Sequence, residues 1–206
     1  MATEAAPLVR RRPRSWHGAA MGIDEFLDLP DDGADRWLLD GIVHEWLPAT
    51  RERMTVRTIE HGQPEGAVVT ALRNWLKQSH YPAKAASGEI GVRLRPGDAT
   101  LVGTDVVLWR DGTPLERRGK RGNVIAGVPL LVVEVLSDSD RMAAVLQKVA
   151  TYVEAGVPLV LAVDPFQKAI NAYRGTMRPE TLLLGDTLDG GTELPGFSVA
   201  VAEVFE

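Results

Sequence analysis

The 206-residue sequence contains no cysteine. This absence excludes disulfide bonds, thiolate zinc sites and a cysteine nucleophile, and it is compatible with a reducing compartment. The chain also lacks any run that approaches roughly 18 apolar residues, so the sequence predicts no membrane span. Its first residues lack the apolar stretch of a signal peptide, and we therefore expect a cytoplasmic location.

Missing motifs exclude further classes of protein. Neither G-x-G-x-x-G nor G-x-x-x-x-G-K-[ST] occurs, which disfavours dinucleotide enzymes and ATP-driven enzymes. The absence of G-x-S-x-G argues against a Ser-His-Asp hydrolase built on a nucleophile elbow. No helix-turn-helix or zinc finger is recognisable, so the sequence predicts no module that reads a DNA sequence.

What is present is an ordinary globular composition, with 45% hydrophobic residues and a net charge of −5. We expect residues 1–18 to form a disordered basic tail and residues 19–206 to form a single domain. The acidity argues against a strong non-specific binder of nucleic acid. Positive charge is concentrated in the tail and in one loop, at Arg10, Arg11, Arg12, Arg14, Arg117, Arg118, Lys120 and Arg121.

The apolar pattern predicts an α/β domain with a mixed sheet. The predicted helices span 22–27, 64–78 and 139–155, with Pro64 in the first turn of the second helix. A hairpin is predicted over 36–47 with its turn at Asp40-Gly41. Further strands are predicted at 91–94, 105–109, 129–136 and 160–163, the last of them paired with 169–173. Residues 198–205 are predicted to form a short strand or helix.

Two carboxylates stand within or beside apolar strands. Glu134 interrupts an otherwise apolar run, where an ionised carboxylate costs several kcal/mol unless it is paired or bound to a metal. Asp105 precedes the apolar residues 106–109. Neighbouring strands can bring two carboxylates to one hard divalent cation, which prefers oxygen ligands. The alternatives are a structural ion pair for Glu134 and a turn residue for Asp105.

Lys148 is the third candidate. On the predicted helix it lies beside Val145 and Tyr152, at the edge of the apolar stripe. Its ammonium either extends to solvent along the helix surface or reaches Glu134 at the end of the sheet. In the second arrangement it could orient an attacking water and stabilise charge on a phosphate.

These residues belong to a longer pattern. The run Leu-Val-Val-Glu-Val-Leu-Ser-Asp-Ser at 131–139 resembles the signature of the Uma-type family of small bacterial restriction-endonuclease-like proteins, within the PD-(D/E)XK nuclease superfamily. The resemblance covers about residues 20–206. It is carried further by Leu39-Asp40-Gly41, His61-Gly62, Thr104-Asp105-Val106-Val107, Lys148, Tyr152, Gly156-Val157-Pro158, Val163-Asp164-Pro165 and Leu194-Pro195-Gly196-Phe197.

The resemblance implies a restriction-endonuclease-like αβββαβ core, a mixed sheet flanked by helices, and a Mg²⁺- or Mn²⁺-dependent endodeoxyribonuclease. The implied cation lies between Asp105 and Glu134, assisted by the backbone carbonyl of Val135. Lys148 would be the catalytic lysine of the motif, displaced onto the following helix. His61 resembles an accessory histidine that contacts phosphate or orients water, although a helix-start residue or a buried histidine is the alternative.

The sequence also departs from the family pattern. Thr104 stands where a proline is usual, and Leu136 occupies the usual lysine position. Ile42 stands where relatives often carry a glutamate, and Glu45 is a poor substitute because residues three apart on a strand face opposite sides. Ile42 favours a second interpretation, in which a nuclease-like domain no longer cuts and binds DNA or protein.

The implied partner is DNA, bound with low sequence specificity. The basic loop containing Arg117, Arg118, Lys120 and Arg121 lies between the two carboxylate strands in sequence, and it could contact phosphates in a salt-sensitive manner. A solvated loop without a partner is the alternative.

A hydrolase of another phosphoester also stays open, because a fold does not determine a substrate. The apolar C-terminal segment either closes the core or forms a homodimer interface.

Overall fold

The computed structural model describes residues 15–30, 34–46, 58–95, 97, 99–117, 122–137 and 142–206. Within these ranges the helices are α1 (Ile23–Leu27), α2 (Ile59–Ser79), α3 (Met142–Glu154) and α4 (Val201–Val204). The strands of the first half are β1 (Asp35–Leu39), β2 (Ile42–Trp46), β3 (Ala83–Arg93), β4 (Val102–Arg110), β5 (Leu115–Arg117) and β6 (Asn123–Ala126). Those of the second half are β7 (Leu131–Val135), β8 (Leu159–Asp164), β9 (Ala169–Tyr173), β10 (Glu180–Leu182), β11 (Thr187–Asp189) and β12 (Ser198–Ala200).

The largest sheet of the described residues has eight strands in the order β10-β9-β8-β7-β4-β3-β6-β5. The pairs β7–β8 and β3–β6 are parallel, and the other neighbours are antiparallel. The predicted α/β class with a mixed sheet is therefore confirmed. The chain order α2, β3, β4, β7, α3, β8 is the αβββαβ order that the resemblance implies.

Side chains alternate between the two faces along each strand. Both faces of this sheet carry apolar residues, and a helix packs against each face. Val106 and Val133 belong to the apolar cluster that packs against α2. Val107 and Val132 belong to the cluster on the other face, which contains residues of α3. Every residue of β7 is buried, as predicted for this apolar run.

Two predicted boundaries are wrong. The long helix begins at Ile59 instead of Pro64, so Pro64 lies inside α2 and not in its first turn. His61 and Pro64 are both buried, which indicates that tertiary packing extends this helix beyond the local proline signal. Strand β3 begins at Ala83 rather than 91, because its alanine-rich first half lacks β-forming residues but pairs with β4 over its length.

The predicted hairpin is confirmed by the antiparallel register of β1 and β2. Its turn residues Asp40 and Gly41 have φ angles of 48° and 77°, which suits the type I′ turn expected of an Asp-Gly pair. A backbone bridge between Leu38 and Leu101 attaches the hairpin to the segment preceding β4. This attachment places the hairpin beside the main sheet.

The C-terminal segment contains both of the predicted alternatives, the strand β12 followed by the short helix α4. Val201 and Val204 are fully buried in the cluster that contains α2. The segment therefore closes the core of this chain, and the homodimer stays a prediction. No helix among the described residues is long and apolar enough to cross a bilayer.

Most of the predicted basic tail, residues 1–14, lies outside the described residues. Residues 15–18 lie against the hairpin, where the backbone N–H of Gly18 donates to the Val43 carbonyl at 2.8 Å. Glu45 accepts hydrogen bonds from the backbone N–H groups of Trp16 and His17. The end of the predicted tail is thus held by β2.

Candidate active site

The candidate site lies where β4 and β7 separate. Their antiparallel register runs from the Leu108–Leu131 pair to the Val106–Val133 pair. Beyond it, side chains of β4 bond to the backbone of β7. The Thr104 hydroxyl donates to the Val133 carbonyl at 3.0 Å, and the Val135 N–H donates to Asp105 Oδ2 at 2.7 Å. These two side chains satisfy backbone groups of β7 that strand pairing would otherwise satisfy. They also hold Asp105 at the point where β4 and β7 separate.

Glu134 is bound by two residues of α3. Lys148 Nζ donates to Glu134 Oε2 at 2.8 Å, and the Tyr152 hydroxyl donates to Glu134 Oε1 at 2.6 Å. Lys148 and Tyr152 are one helical turn apart, so they project from the same side of α3. Tyr152 is also 3.3 Å from the Gly103 carbonyl on β4. Strands β4 and β7 and helix α3 therefore meet at this carboxylate.

Burial determines the ionisation of these groups. Asp105, Glu134 and Lys148 are 5%, 7% and 7% exposed. Burial raises the pKa of Glu134 to about 8; the Lys148 ammonium opposes the shift and the Asp105 charge reinforces it. Burial also acts to raise the pKa of Asp105, but the hydrogen bond and charge of His61 and the Val135 amide outweigh it, so that pKa is lowered. Near neutral pH the metal-free pair thus favours one ionised carboxylate.

Helix α2 approaches Asp105 from another side. His61 Nε2 is 3.4 Å from Asp105 Oδ2, and His61 Nδ1 is 3.8 Å from Glu65 Oε2. His61, Glu65 and Asp105 each offer one ligand atom, and these three atoms lie within 4.8 Å of one another. Asp105 therefore lies between two groups of polar residues, one from α2 and one from β7 and α3.

The sequence reasoning missed Glu65. A signal existed, because His61 and Glu65 are four residues apart, a spacing that places two side chains on one face of a helix. The predicted helix start at Pro64 concealed it, since His61 then preceded the helix. The sequence marks Tyr152 as a helical neighbour of Lys148 and as part of the family pattern, but it does not predict the hydrogen bond from Tyr152 to Glu134.

The structure also locates the other predicted residues. The Lys148 side chain is 9% exposed, so its ammonium does not extend into solvent. Glu45 binds Arg36 at 2.8 Å on the hairpin, in accord with its description as a poor substitute for a metal-binding glutamate. Ile42 is 38% exposed at the start of β2. Thr104 is fully buried, and its hydroxyl bond gives this departure from proline a structural role.

Arg117, one of the four predicted phosphate contacts, lies away from the candidate site. Arg117 ends β5, the edge strand, which is separated from β4 by β6 and β3. At about 4.8 Å per strand spacing, β5 is roughly 14 Å from β4 across the sheet. Arg118, Lys120 and Arg121 lie outside the described residues. Their contact with phosphate stays a prediction.

The residues at this site fit a divalent cation. Asp105 and Glu134 offer carboxylate oxygens, which hard cations such as Mg²⁺ prefer. Asp105 with His61 and Glu65 offers two oxygens and one nitrogen, a set that Mn²⁺ can also use. Both sets share Asp105, the carboxylate whose pKa is lowered and which is therefore ionised at neutral pH.

Two comparisons with known proteins found matches, one to the sequence and one to the fold. The family model Uma2, described as "Putative restriction endonuclease", matches residues 23–202. The crystal structure of a putative nuclease belonging to DUF820 from Anabaena variabilis aligns with a TM-score of 0.70 and 17% identity, over 90% of this chain and 97% of that chain. At that identity the structural likeness shows the fold alone. No curated protein matches the chain in sequence.

Proposed function

Because the chain belongs to the Uma2 family of restriction-endonuclease-like proteins, we propose that it is a Mg²⁺- or Mn²⁺-dependent nuclease that hydrolyses phosphodiester bonds of DNA. One observation carries the proposal. Asp105, buried at the divergence of β4 and β7, lies between a His61–Glu65 pair and the buried Glu134–Lys148 pair. Acidic, basic and cationic groups are thereby gathered at one end of a sheet.

Asp105 would be the central ligand, with Glu134 and the Val135 carbonyl on one side or His61 and Glu65 on the other. A bound cation lowers the pKa of water and neutralises charge on a phosphate. A cation near Asp105 would also favour the ionised form of Glu134, whose pKa is raised in its absence. The carboxylates and the cation are thus mutually stabilising.

The neighbouring residues have separate parts in the proposed reaction. The Lys148 ammonium would stabilise the developing negative charge on the phosphate and orient the nucleophilic water. Tyr152 holds the second oxygen of Glu134. His61 holds Asp105 and keeps its pKa low. Lys148 is the basic side chain in direct contact with Glu134.

The test is cleavage by the full chain after removal of metals. Supercoiled plasmid and single-stranded DNA are incubated with EDTA, Mg²⁺ or Mn²⁺, using wild type, Asp105→Asn and Glu134→Gln. Asp164→Asn is the matched control, because Asp164 is a buried aspartate at 8% exposure whose Oδ1 accepts the Phe166 and Gln167 amides. We expect cation-dependent cleavage by wild type and by the control, and cleavage at least roughly 100-fold slower by the two site variants. Cleavage in EDTA, or equal cleavage by all four proteins, would contradict the proposal.

A second candidate function is a nuclease-like domain that binds DNA or protein without cutting. The observation in its favour is Ile42, an apolar residue at a position where the family pattern often has glutamate. For this candidate we expect salt-sensitive DNA binding and no cleavage with any cation. Light scattering of the purified chain with and without DNA would test the predicted homodimer.

A further inference from the structure

A buried tryptophan contacts the lysine of the candidate site. Trp37 on β1 is 3% exposed, and the Lys148 ammonium lies over its ring at 5.8 Å from the centroid. The same ammonium donates to Glu134 at 2.8 Å. Cation–π attraction acts at this separation and is strongest for the indole ring and for desolvated cations. Lys148 is therefore held by an acidic group and an aromatic face together.

The tryptophan is itself fixed against α3. The His44 ring stacks on Trp37 with 5.7 Å between centroids and 17° between planes. His44 Nδ1 is 3.2 Å from Gln147 Nε2, and Gln147 precedes Lys148 on α3. The hairpin and the helix are thus connected on both sides of the indole.

Packing alone does not explain an indole at this position. The Trp37 Nε1–H is buried and has no hydrogen-bond partner among the described residues, which disfavours folding. A phenylalanine ring would supply apolar area there without burying a donor. The indole is nevertheless the better partner for an ammonium group. This combination indicates that the ring serves Lys148.

We propose that Trp37 is a positioning residue for Lys148, which keeps the ammonium directed at the reacting phosphate. The proposal rests on the proposed nuclease function. Trp37 acts through Lys148 and does not itself touch the substrate. Because Lys148 would stabilise charge that develops in the transition state, the effect belongs in kcat and leaves KM nearly unchanged.

The kinetic test compares two buried tryptophans. Trp37→Leu should lower kcat for DNA cleavage roughly 3- to 30-fold, the range that corresponds to a partly or fully desolvated cation–π contact. Trp37→Phe should lose less activity and unfold at the same or a higher temperature. Trp75, 7% exposed on α2 with its Nε1–H donated to Pro195, is the control. Trp75→Leu should lower the melting temperature without changing kcat below that temperature.

A second measurement does not depend on cleavage. In metal-free wild type, the Lys148 Hε protons should show an upfield ring-current shift in NMR spectra, reduced in Trp37→Phe and absent in Trp37→Leu. An unshifted Lys148 in wild type, or an unchanged kcat in a folded Trp37→Leu, would overturn the proposal. If wild type cleaves no DNA, the nuclease function and the kinetic role fail together. The shift would then show that Trp37 holds an ammonium that has no part in hydrolysis.

Discussion

Two glutamates of this protein whose side chains are buried each pair with a cation at 2.8 Å, and their pKa values shift in opposite directions. Glu45 on the hairpin, with a side chain 1% exposed, binds Arg36. Glu134 at the candidate site, with a side chain 9% exposed, binds Lys148. Burial acts to raise the pKa of both carboxyls. The pKa of Glu45 is lowered all the same, whereas that of Glu134 rises to about 8.

The difference lies in the donors around each carboxylate. Glu45 Oε1 accepts two N–H groups of Arg36. Its Oε2 accepts the Trp16 and His17 amides and the Ser15 hydroxyl. These hydrogen bonds outweigh the effect of burial on the pKa. A carboxylate so fully bonded stabilises the fold and has no need of a metal.

Glu134 has the Tyr152 hydroxyl on one oxygen and the Lys148 ammonium on the other. The nearby Asp105 charge repels its ionised form. Compensation is therefore incomplete, and a further cation would complete it. The comparison teaches that the number of donors, and not the presence of an ion pair, separates the structural glutamate from the candidate ligand.

The largest expected effect comes from exchanging each glutamate for its amide. Glu134→Gln should reduce cation-dependent cleavage at least roughly 100-fold, because an amide oxygen lacks the negative charge that the carboxylate contributes to cation binding. Glu45→Gln, assayed below its melting temperature, should cleave at nearly the wild-type rate. Initial rates on plasmid DNA measure both. Equal loss in the two variants would break the distinction between the two carboxylates.

The second effect is on stability, where we expect Glu45→Gln to be more destabilised than Glu134→Gln. Glu45→Gln should lower the free energy of unfolding by roughly 2–4 kcal/mol, because it removes the charge of a carboxylate that accepts two N–H groups of Arg36 and the backbone amides of Trp16 and His17. Urea denaturation in EDTA at pH 6 measures this value. Glu134→Gln should differ little from wild type there, since Glu134 is largely protonated at that pH. A larger loss of stability in Glu134→Gln than in Glu45→Gln would contradict the assignment of Glu45 as the structural glutamate.

The third effect is the pH dependence of stability. A raised carboxyl pKa means that the folded state binds a proton that the unfolded state releases, so metal-free stability should fall as pH rises between about 4.5 and about 8. The slope contributed by Glu134 is at most about 1.4 kcal/mol per pH unit. A lowered pKa acts oppositely, so the stability due to Glu45 should be lost as pH falls through the acidic range.

Thermal melts in EDTA between about pH 4.5 and about pH 8, for wild type and Glu134→Gln, would test whether Glu134 causes this decline in stability. The variant should lack the decline toward pH 8, and Mn²⁺ should flatten it in wild type. A decline that persists in Glu134→Gln would place its source in another group.

The smallest effect concerns the strand opening beside Glu134. Thr104→Val removes the hydroxyl that donates to the Val133 carbonyl and should lower the free energy of unfolding by roughly 1–2 kcal/mol. Thr104→Ser keeps the hydroxyl and should preserve most of this stability. Urea melts compare the two variants. Equal stability would show that the hydroxyl does not hold β4 to β7.

The sequence predicted those elements whose local signals agree with their final environment. The apolar run of β7 and the Asp-Gly turn of the hairpin are found where they were predicted. The start of α2 could not be predicted, because packing of His61 and Pro64 overrides the local preference of proline for a first turn. The alanine-rich half of β3 forms a strand only because β4 pairs with it.

The sequence by itself predicted which residues could carry chemistry, because a charged side chain within or beside an apolar run is unusual wherever the strand lies. It thereby marked Glu134, Asp105 and Lys148, and the family pattern added His61. Only the tertiary structure decided that Glu65 joins His61 beside Asp105, that Trp37 faces Lys148, and that Arg117 lies on the far edge strand. These contacts join segments distant in sequence, and they form because strand divergence and helix packing bring those segments together.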